Sequence, residues 1–304
     1  MIKKILVTGA NGFVGNHLSK ELKSAGYIVI GLGGEIGSSQ KPEGLDEYLV
    51  VDLTDREKVE NIDLSNIDGV IHLAGLAAVG PSFSDPMKYI DTNIGIEVNL
   101  FEACIKQKIK PRFIIISSGT IYSPKNVMPL NEQSSILPNS PYAVSKMGQE
   151  EMALYYESVG FEVVIARPFN HIGPGQGPGF IVPDLAKQII DFSSGNTDKV
   201  MVGNLDSQRD YTDVRDISRA YRLLYEKGKS GEVYNICSGL AISGNKILND
   251  LMKIKGISAE IELDKSRLRP SDNPLIVGDY SKIKKDTGWQ PKISLEQTFK
   301  DILA

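Results

Sequence analysis

Thr8-Gly9-Ala10-Asn11-Gly12-Phe13-Val14-Gly15-Asn16 follows directly on the apolar run Ile5-Leu6-Val7. A buried strand turning sharply into a helix reads this way. Glycine stands where the backbone must turn, where a ligand must come close, and where helix and strand must pack without a side chain between them. The first turn of a helix leaves N–H groups unpaired and carries the positive end of the helix dipole, so a helix beginning near Phe13 favours an anion such as a diphosphate. The spacing of Gly9, Gly12 and Gly15 is GxxGxxG rather than GxGxxG. It predicts a dinucleotide-binding turn built from Gly9, Asn11, Gly12, Phe13, Val14 and Gly15.

Outward from that turn the chain alternates. Apolar, β-branched runs at Ile2–Val7, Tyr27–Leu32, Glu47–Val51, Gly69–His72, Arg112–Ser117 and Glu162–Ala166 are separated by helical stretches at Val14–Ala25, Thr54–Asn61, Pro86–Gln107 and Pro141–Val159. Such alternation predicts an α/β protein with a Rossmann-type, doubly wound parallel sheet covered on both faces. After Arg167 the pattern breaks into the Gly- and Pro-rich loop Pro168–Gly179, then into mixed helices and short strands, with Glu232–Cys237 as a strand able to return to the main sheet. The expected organisation is a dinucleotide-binding domain over 1–167, with a returning segment near 212–238. A smaller mixed α/β substrate domain is expected from 168–211 and 239–304, closing over the carboxyl ends of the strands.

At 304 residues the chain can bury a large core. A formal charge of −4 argues against a dedicated nucleic-acid binder, which is usually basic. Since no apolar stretch approaches the length of a membrane span and Met1-Ile2-Lys3-Lys4 runs straight into a strand, the expected setting is the cytoplasm, away from membranes. Cys104 and Cys237 both lie in apolar segments, which predicts packing residues rather than a disulfide or a thiolate metal site. His17, His72 and His171 are spaced too widely for a metal cluster, so no metal is expected.

A second signal is Ser140-Pro141-Tyr142-Ala143-Val144-Ser145-Lys146. Ser140 suits an N-cap and Pro141 a first helical position, which puts Tyr142 and Lys146 four apart on one helical face. A phenol is a poor acid–base group near neutrality, but an ammonium one turn away and a positive nicotinamide ring would lower its pKa. Tyr142 would then exchange a proton with a substrate oxygen while hydride moves to or from a cofactor. On its own the pair supports nothing better than an exposed Tyr–Lys couple on a helix. Its company is Ile114-Ile115-Ile116-Ser117-Ser118-Gly119-Thr120-Ile121-Tyr122, a buried strand ending in hydroxyls that can hold the same substrate oxygen, with Ser117 better read as a loop-capping serine.

These residues resemble the extended short-chain dehydrogenase/reductases that act on nucleotide sugars, and the resemblance runs along essentially the whole chain. It is carried by Thr8–Gly15, Asp52-Leu53, His72-Leu73-Ala74-Gly75, the Ser-Tyr-Lys set and Arg167-Pro168-Phe169-Asn170. The resemblance implies Ser118, Tyr142 and Lys146 as catalytic residues, with Tyr142 and Lys146 also touching the cofactor. It places Asp52 and Leu53 by the adenine, and Leu73, Ala74 and Gly75 along the cofactor. Asn93 matches an asparagine beside the active site, and a packing role reads equally well. The family also implies a homodimer formed through the helices at 86–107 and 142–158, whose apolar residues extend beyond one stripe.

Two further stretches, Arg167–Gln176 and Gly203–Asp216, resemble the members acting on GDP-mannose derivatives. That likeness implies a GDP-linked sugar held by Asn170, Arg209 and Arg269, with Lys187 reaching the nucleotide. Arg269 also reads as a surface ion pair. Forked guanidinium donors suit a diphosphate. Dehydratases of this kind carry a carboxylate two residues before the tyrosine of the strand-end motif, and here that position, lined against the substrate, is Thr120. A hydroxyl does not replace a carboxylate as the acid–base group, so elimination is disfavoured and carbonyl reduction survives. The expectation is NAD(P)H-dependent reduction of the 4-keto group of GDP-4-keto-6-deoxy-mannose to a GDP-6-deoxyhexose such as GDP-rhamnose. The alternatives are a nucleotide-sugar 4-epimerase that retains NAD and a non-catalytic, cofactor-sensing protein on the same fold.

For the cofactor, the end of the second strand near Leu32, in Gly31-Leu32-Gly33-Gly34, lacks the aspartate that binds the adenosine ribose of NAD. Lys41 is the nearest cation and Glu35 opposes it. NADPH or NADH is expected, with a leaning to NADPH.

Overall fold

A computed structural model of the chain describes residues 2–34, 41–264 and 274–304. The strands β1 (Lys4–Thr8), β2 (Ile28–Gly33), β3 (Glu47–Val50), β4 (Gly69–His72), β5 (Arg112–Ile116), β6 (Val163–Pro168) and β10 (Val233–Ile236) form one seven-stranded sheet in the order β10-β6-β5-β4-β1-β2-β3. Every pairing in it is parallel. The chain winds from β1 towards β3, then returns to the other side of β1 and proceeds from β4 to β6. The topological switch therefore falls between β1 and β4, where ligands bind in sheets of this kind.

Each strand feeds two cores because alternate side chains leave opposite faces. Ile5, Val7, Val29, Ile71, Ile114 and Val164 pack on one face with α1 (Phe13–Ser24) and α7 (Val214–Lys227). On the other face Leu6, Ile30, Val70, Phe113, Ile115 and Val163 pack against α4 (Pro86–Lys106) and α5 (Pro141–Ser158). The short helix α2 (Arg56–Glu60) precedes β4, and α3 (Val79–Ser82) leads into α4. Two-sided burial is what made these strands read as unbroken apolar runs.

A second layer sits beyond the sheet. Strand β9 (Gln208–Asp213) pairs antiparallel with β11 (Ala241–Ser243) and parallel with β13 (Leu275–Ile276) and β7 (Asn170–Ile172), while β8 (Lys199–Val202) pairs with β12 (Glu260–Leu263). The helices α6 (Ile181–Ser193), α8 (Gly244–Lys255) and α10 (Leu295–Leu303) share a separate apolar cluster centred on Leu185, Ile189, Ile247, Leu251 and Phe299.

Two features depart from the expected pattern. The sixth strand runs on through Arg167 and Pro168, which stand opposite Asn235 and Ile236, and the loop after it contains β7. Helix α9 (Ser281–Thr287) and Trp289 lie against the large sheet's core rather than within the second layer. Trp289 is fully buried and its indole N–H donates to Asp216 O at 2.9 Å, so this stretch is pinned to α7. Cys104 and Cys237 are both buried and unpaired, as packing residues. Among the described residues no helix is long and apolar enough to cross a membrane, and no His, Cys, Asp or Glu cluster could hold a metal ion.

Candidate active site

The glycine turn has the geometry its spacing requires. Gly9 adopts φ +65°, and a Cβ there would lie 3.0 Å from Ala74 N, against the loop after β4. A Cβ on Gly15 would lie 2.7 Å from Ala10 Cα and overlap the carbonyl of Gly9, so α1 and β1 touch through bare backbone. Gly12 N–H donates to Gly9 O at 2.9 Å, and Asn16 Nδ2 holds Gly12 O (2.8 Å) and Asn11 O (3.2 Å). Helix α1 starts at Phe13 with no side-chain cap and no acid in its first turn. Uncapped amides at the positive end of a dipole fit the diphosphate of a dinucleotide.

At the switch point the ends of β1 and β4 are joined. Thr8 Oγ1 accepts from Ala74 N at 3.0 Å and lies 2.8 Å from His72 Nδ1, which fixes the run Leu73-Ala74-Gly75 beside the glycine turn. Burial, helped by the Lys146 charge, pushes the His72 pKa down to about 3, so the ring is neutral and structural. Asn93 ties two elements together. Fully buried on α4, it accepts from Leu76 N at 2.7 Å and donates to Ser145 Oγ at 2.9 Å, locking the loop after β4 to α5 directly under Tyr142.

Helix α5 begins as its sequence predicts, with Ser140 Oγ accepting from Ala143 N at 3.2 Å and Pro141 in the first turn. Tyr142 and Lys146 are 8% and 7% exposed, which removes the reading of a solvated surface pair. Ser118 lies beside the Tyr142 phenol and opposes the rise that burial gives its pKa. Ser118 Oγ in turn accepts from Thr120 Oγ1 (3.0 Å) and Thr120 N (3.2 Å), so the strand-end hydroxyls gather beside the phenol. Ser117, also buried, makes no hydrogen bond through its hydroxyl and so does not cap the loop.

The expected lowering of the Tyr142 pKa is not found. Burial raises it, Ser118 works in the opposite direction, and Tyr89, edge-on at 6.4 Å, raises it again. Burial is the main cause, and Lys146 is engaged elsewhere, its Nζ donating to Ile116 O at 2.9 Å and to Gln149 Oε1 at 2.8 Å. Burial pushes the pKa of Lys146 itself down to about 8, with Glu97 and Glu150 opposing the shift. Tyr142 is thus a phenol that keeps its proton, the form needed by a donor to a carbonyl oxygen.

On the adenosine side the picture is mixed. Leu32 is fully buried with its side chain in the core, and its carbonyl accepts from Ala10 N at 3.2 Å, so it offers backbone rather than side chain. The polar groups beside the strand end are Asn11 Oδ1 and the Tyr48 hydroxyl, which donates to Gly34 O at 2.6 Å. Lys41 is turned to Asp46 O at 2.8 Å, and Glu35 lies outside the described residues. Asp52 is exposed beyond β3, its pKa lowered by bonds from the Thr54 hydroxyl and amide. Leu53 is buried, and its carbonyl takes Asn99 Nδ2 at 3.0 Å.

The substrate-side residues divide. Asn170, exposed on β7, reaches Asp210 O at 3.3 Å, and the half-buried Arg209 lies on the adjoining strand β9 with its guanidinium on Gln208 O at 2.9 Å. His171 stacks on Phe13 at 6.2 Å and His17 meets the same ring edge-on at 5.6 Å, so the loop carrying Asn170 rests on the start of α1. Lys187, by contrast, stands in solvent on α6, paired with Asp191 at 2.5 Å, and is not brought to these groups. Arg269 lies outside the described residues. Motif reading missed the contact made by Tyr89, and it missed Gln149 and Glu97. The last was visible as an acid four residues after Asn93, on the same face of α4.

A family profile described as GDP-mannose 4,6 dehydratase matches residues 6–302. The chain belongs to this family. It is a nucleotide-sugar short-chain dehydrogenase/reductase, as the resemblance implied. A GDP-6-deoxy-D-mannose reductase from Pseudomonas aeruginosa is 33% identical over 312 residues, covering 100% of this chain and 97% of the relative. The solved structure of RMD from the same organism, complexed with NADPH, aligns with a TM-score of 0.85 and 31% identity over 99% of this chain and 97% of that one. A UDP-glucose 4-epimerase from Thermotoga maritima, solved with UDP-glucose, aligns equally fully, with a TM-score of 0.88, 32% identity and coverage of 99% and 97%. The fold of this chain is thus shared by a reductase and an epimerase alike.

Proposed function

We propose that the chain is an NAD(P)H-dependent reductase of the 4-keto group of GDP-4-keto-6-deoxy-mannose, giving a GDP-6-deoxyhexose such as GDP-rhamnose. The observation that carries this reading is Thr120, whose hydroxyl is bonded to Ser118 at the place where a dehydratase would carry its carboxylate. Without that acid the site can polarise and protonate a carbonyl but has no group for removing water from the sugar. Full-length similarity to a GDP-6-deoxy-D-mannose reductase supports the same reaction.

In this reading the glycine turn and the start of α1 hold the diphosphate of NADPH or NADH, and the loop Leu73-Ala74-Gly75 lies along the cofactor. When bound, the reduced nicotinamide supplies the hydride. Ser118 orients O4 of the sugar by hydrogen bonding. Tyr142 gives its proton to O4, and Lys146 stabilises the phenolate left behind. Asn170 and Arg209 face the nucleotide sugar from the second layer, with Arg269 as a further diphosphate ligand. The absence of a carboxylate at Leu32 leaves room for the 2′-phosphate of NADPH. The protein works in the cytoplasm as a homodimer through α4 and α5, a role supported by Met87, Val144, Leu154 and Tyr155, which remain exposed on those helices.

The second reading, a nucleotide-sugar 4-epimerase, is favoured by the match to the Thermotoga maritima enzyme. One assay separates them. NAD(P)H absorbance is followed after adding GDP-4-keto-6-deoxy-mannose, prepared in place with a separate dehydratase. Stoichiometric oxidation is expected. An unchanged absorbance, with a UDP-sugar interconverted at C4 and cofactor retained, would establish the epimerase.

A further inference from the structure

Beneath the catalytic pair lies a buried side-chain chain that the proposed reaction does not use. Lys146 Nζ donates to Gln149 Oε1 at 2.8 Å, and Gln149 Nε2 donates to Glu97 Oε2 at 3.0 Å. Both Gln149 and Glu97 are fully buried between α4 and α5. The second carboxyl oxygen, Glu97 Oε1, is buried and makes no hydrogen bond. Burying a carboxyl with an unpartnered oxygen costs several kcal/mol unless a nearby charge compensates it.

The surrounding groups show which charge that is. Glu150, on the same helix as Lys146, is held by the fork of Arg167 from β6 at 2.8 and 2.6 Å, so its charge is already matched. Tyr156 on α5 donates to Glu102 rather than to Glu97. His72 on β4 is held neutral. Among the described residues, Lys146 is the cation bearing on Glu97, and Glu97 precedes Glu150 among the acids bearing on Lys146. Burial holds the Glu97 carboxyl well above the usual carboxylate range against the pull of Gln149 and Lys146, and it lowers Lys146 against the pull of Glu97 and Glu150.

We propose that Glu97, acting through Gln149, is a positioning residue for Lys146: its carboxyl accepts from the Gln149 amide, which turns Gln149 Oε1 to the ammonium group and fixes that group's direction. Lys146 has three donors. Ile116 O and Gln149 take two, which leaves the third aimed by the other two. The Gln149 amide is oriented by having an acceptor to meet on one side and a donor on the other, so loss of the acid frees it to flip. The proposal rests on the assignment of Tyr142 and Lys146 as the proton-handling pair.

The test follows the Lys146 ammonium directly. The holoprotein is labelled with 15N-lysine, the Lys146 Nζ signal is assigned with Lys146→Arg, and its titration midpoint is compared in the wild type, Glu97→Gln and Gln149→Leu. Both variants should lower the midpoint by about one pH unit, Gln149→Leu by taking an acceptor from the ammonium group and Glu97→Gln by freeing the Gln149 amide to turn its donor towards it. The basic limb of the turnover profile should move by the same amount while KM for the nucleotide sugar stays within about twofold. Glu97→Asp, which keeps the acid, should recover part of the shift. Gln149→Leu keeps the test open should Glu97→Gln fail to fold. A Lys146 midpoint that stays in place in the folded variants overturns the proposal. A shifted midpoint in a protein that does not oxidise NAD(P)H with the keto sugar would leave the positioning role standing and refute the reductase instead.

Discussion

At the scale of single residues the proposed reduction turns on where protons are held. Burial raises the pKa of Tyr142, so it remains a phenol at neutral pH, with Ser118 beside it opposing the shift. Tyr142→Phe removes the donor and leaves the ring packed against Tyr89. Turnover should fall by about a hundredfold or more, while NAD(P)H affinity, read by fluorescence quenching, changes little. A variant that retains most of its activity would remove Tyr142 from the mechanism. Lys146 sets the pH range. Its pKa is depressed to about 8, so it is charged below that pH and neutral above it. Because a neutral amine cannot stabilise the phenolate, the rate of reduction should decline as pH rises through this value. A rate that keeps rising well beyond it would contradict the assignment.

At the scale of elements, the site is made by three strand ends and the starts of two helices. The glycine turn of β1–α1 tolerates no side chain at Gly15, where a Cβ would lie 2.7 Å from Ala10 Cα. Gly15→Ala should therefore destabilise the protein by about 1–3 kcal/mol in chemical denaturation and weaken cofactor binding more than tenfold. An alanine variant with normal stability and affinity would show that α1 can move away from β1 without cost.

The strands and the first helices were legible in the sequence because two-sided burial writes itself as apolar runs, and because Ser140 and Pro141 announce a helix start. Asn93 was legible only as a choice of two roles, since its partners Leu76 and Ser145 come from other elements. The direction of the Tyr142 shift was misread for the same reason. Its spacing from Lys146 is a local fact, whereas the burial that raises its pKa is tertiary. Lys187 was assigned from likeness, but it stands in solvent in an ion pair one helical turn long.

At the scale of the molecule, the second layer is carried on the sheet by a few anchors. Asp210, fully buried on β9, accepts from Ser238 N (2.7 Å), Gly239 N (2.9 Å) and Gly278 N (3.3 Å), and Trp289 pins the chain after α9 to α7. The loop bearing Asn170 and His171 joins this layer to the glycine turn through Phe13. On the opposite side of the sheet Leu154 and Tyr155 face outward from α5. If α5 forms the dimer contact, Leu154→Asp combined with Tyr155→Ser should shift the solution mass from dimer to monomer, as read by sedimentation. A wild type that already sediments as a monomer would refute the interface.

The central claim is hydride transfer to C4 of a GDP-linked keto sugar. The most direct measurement supplies NAD(P)D labelled with deuterium at the transferable position, together with GDP-4-keto-6-deoxy-mannose, and locates the label in the product by NMR. One deuterium at C4 of a GDP-6-deoxyhexose, with one cofactor oxidised per sugar, is the predicted result. An unlabelled C4, or a keto sugar left unreduced with no cofactor consumed, would contradict the account.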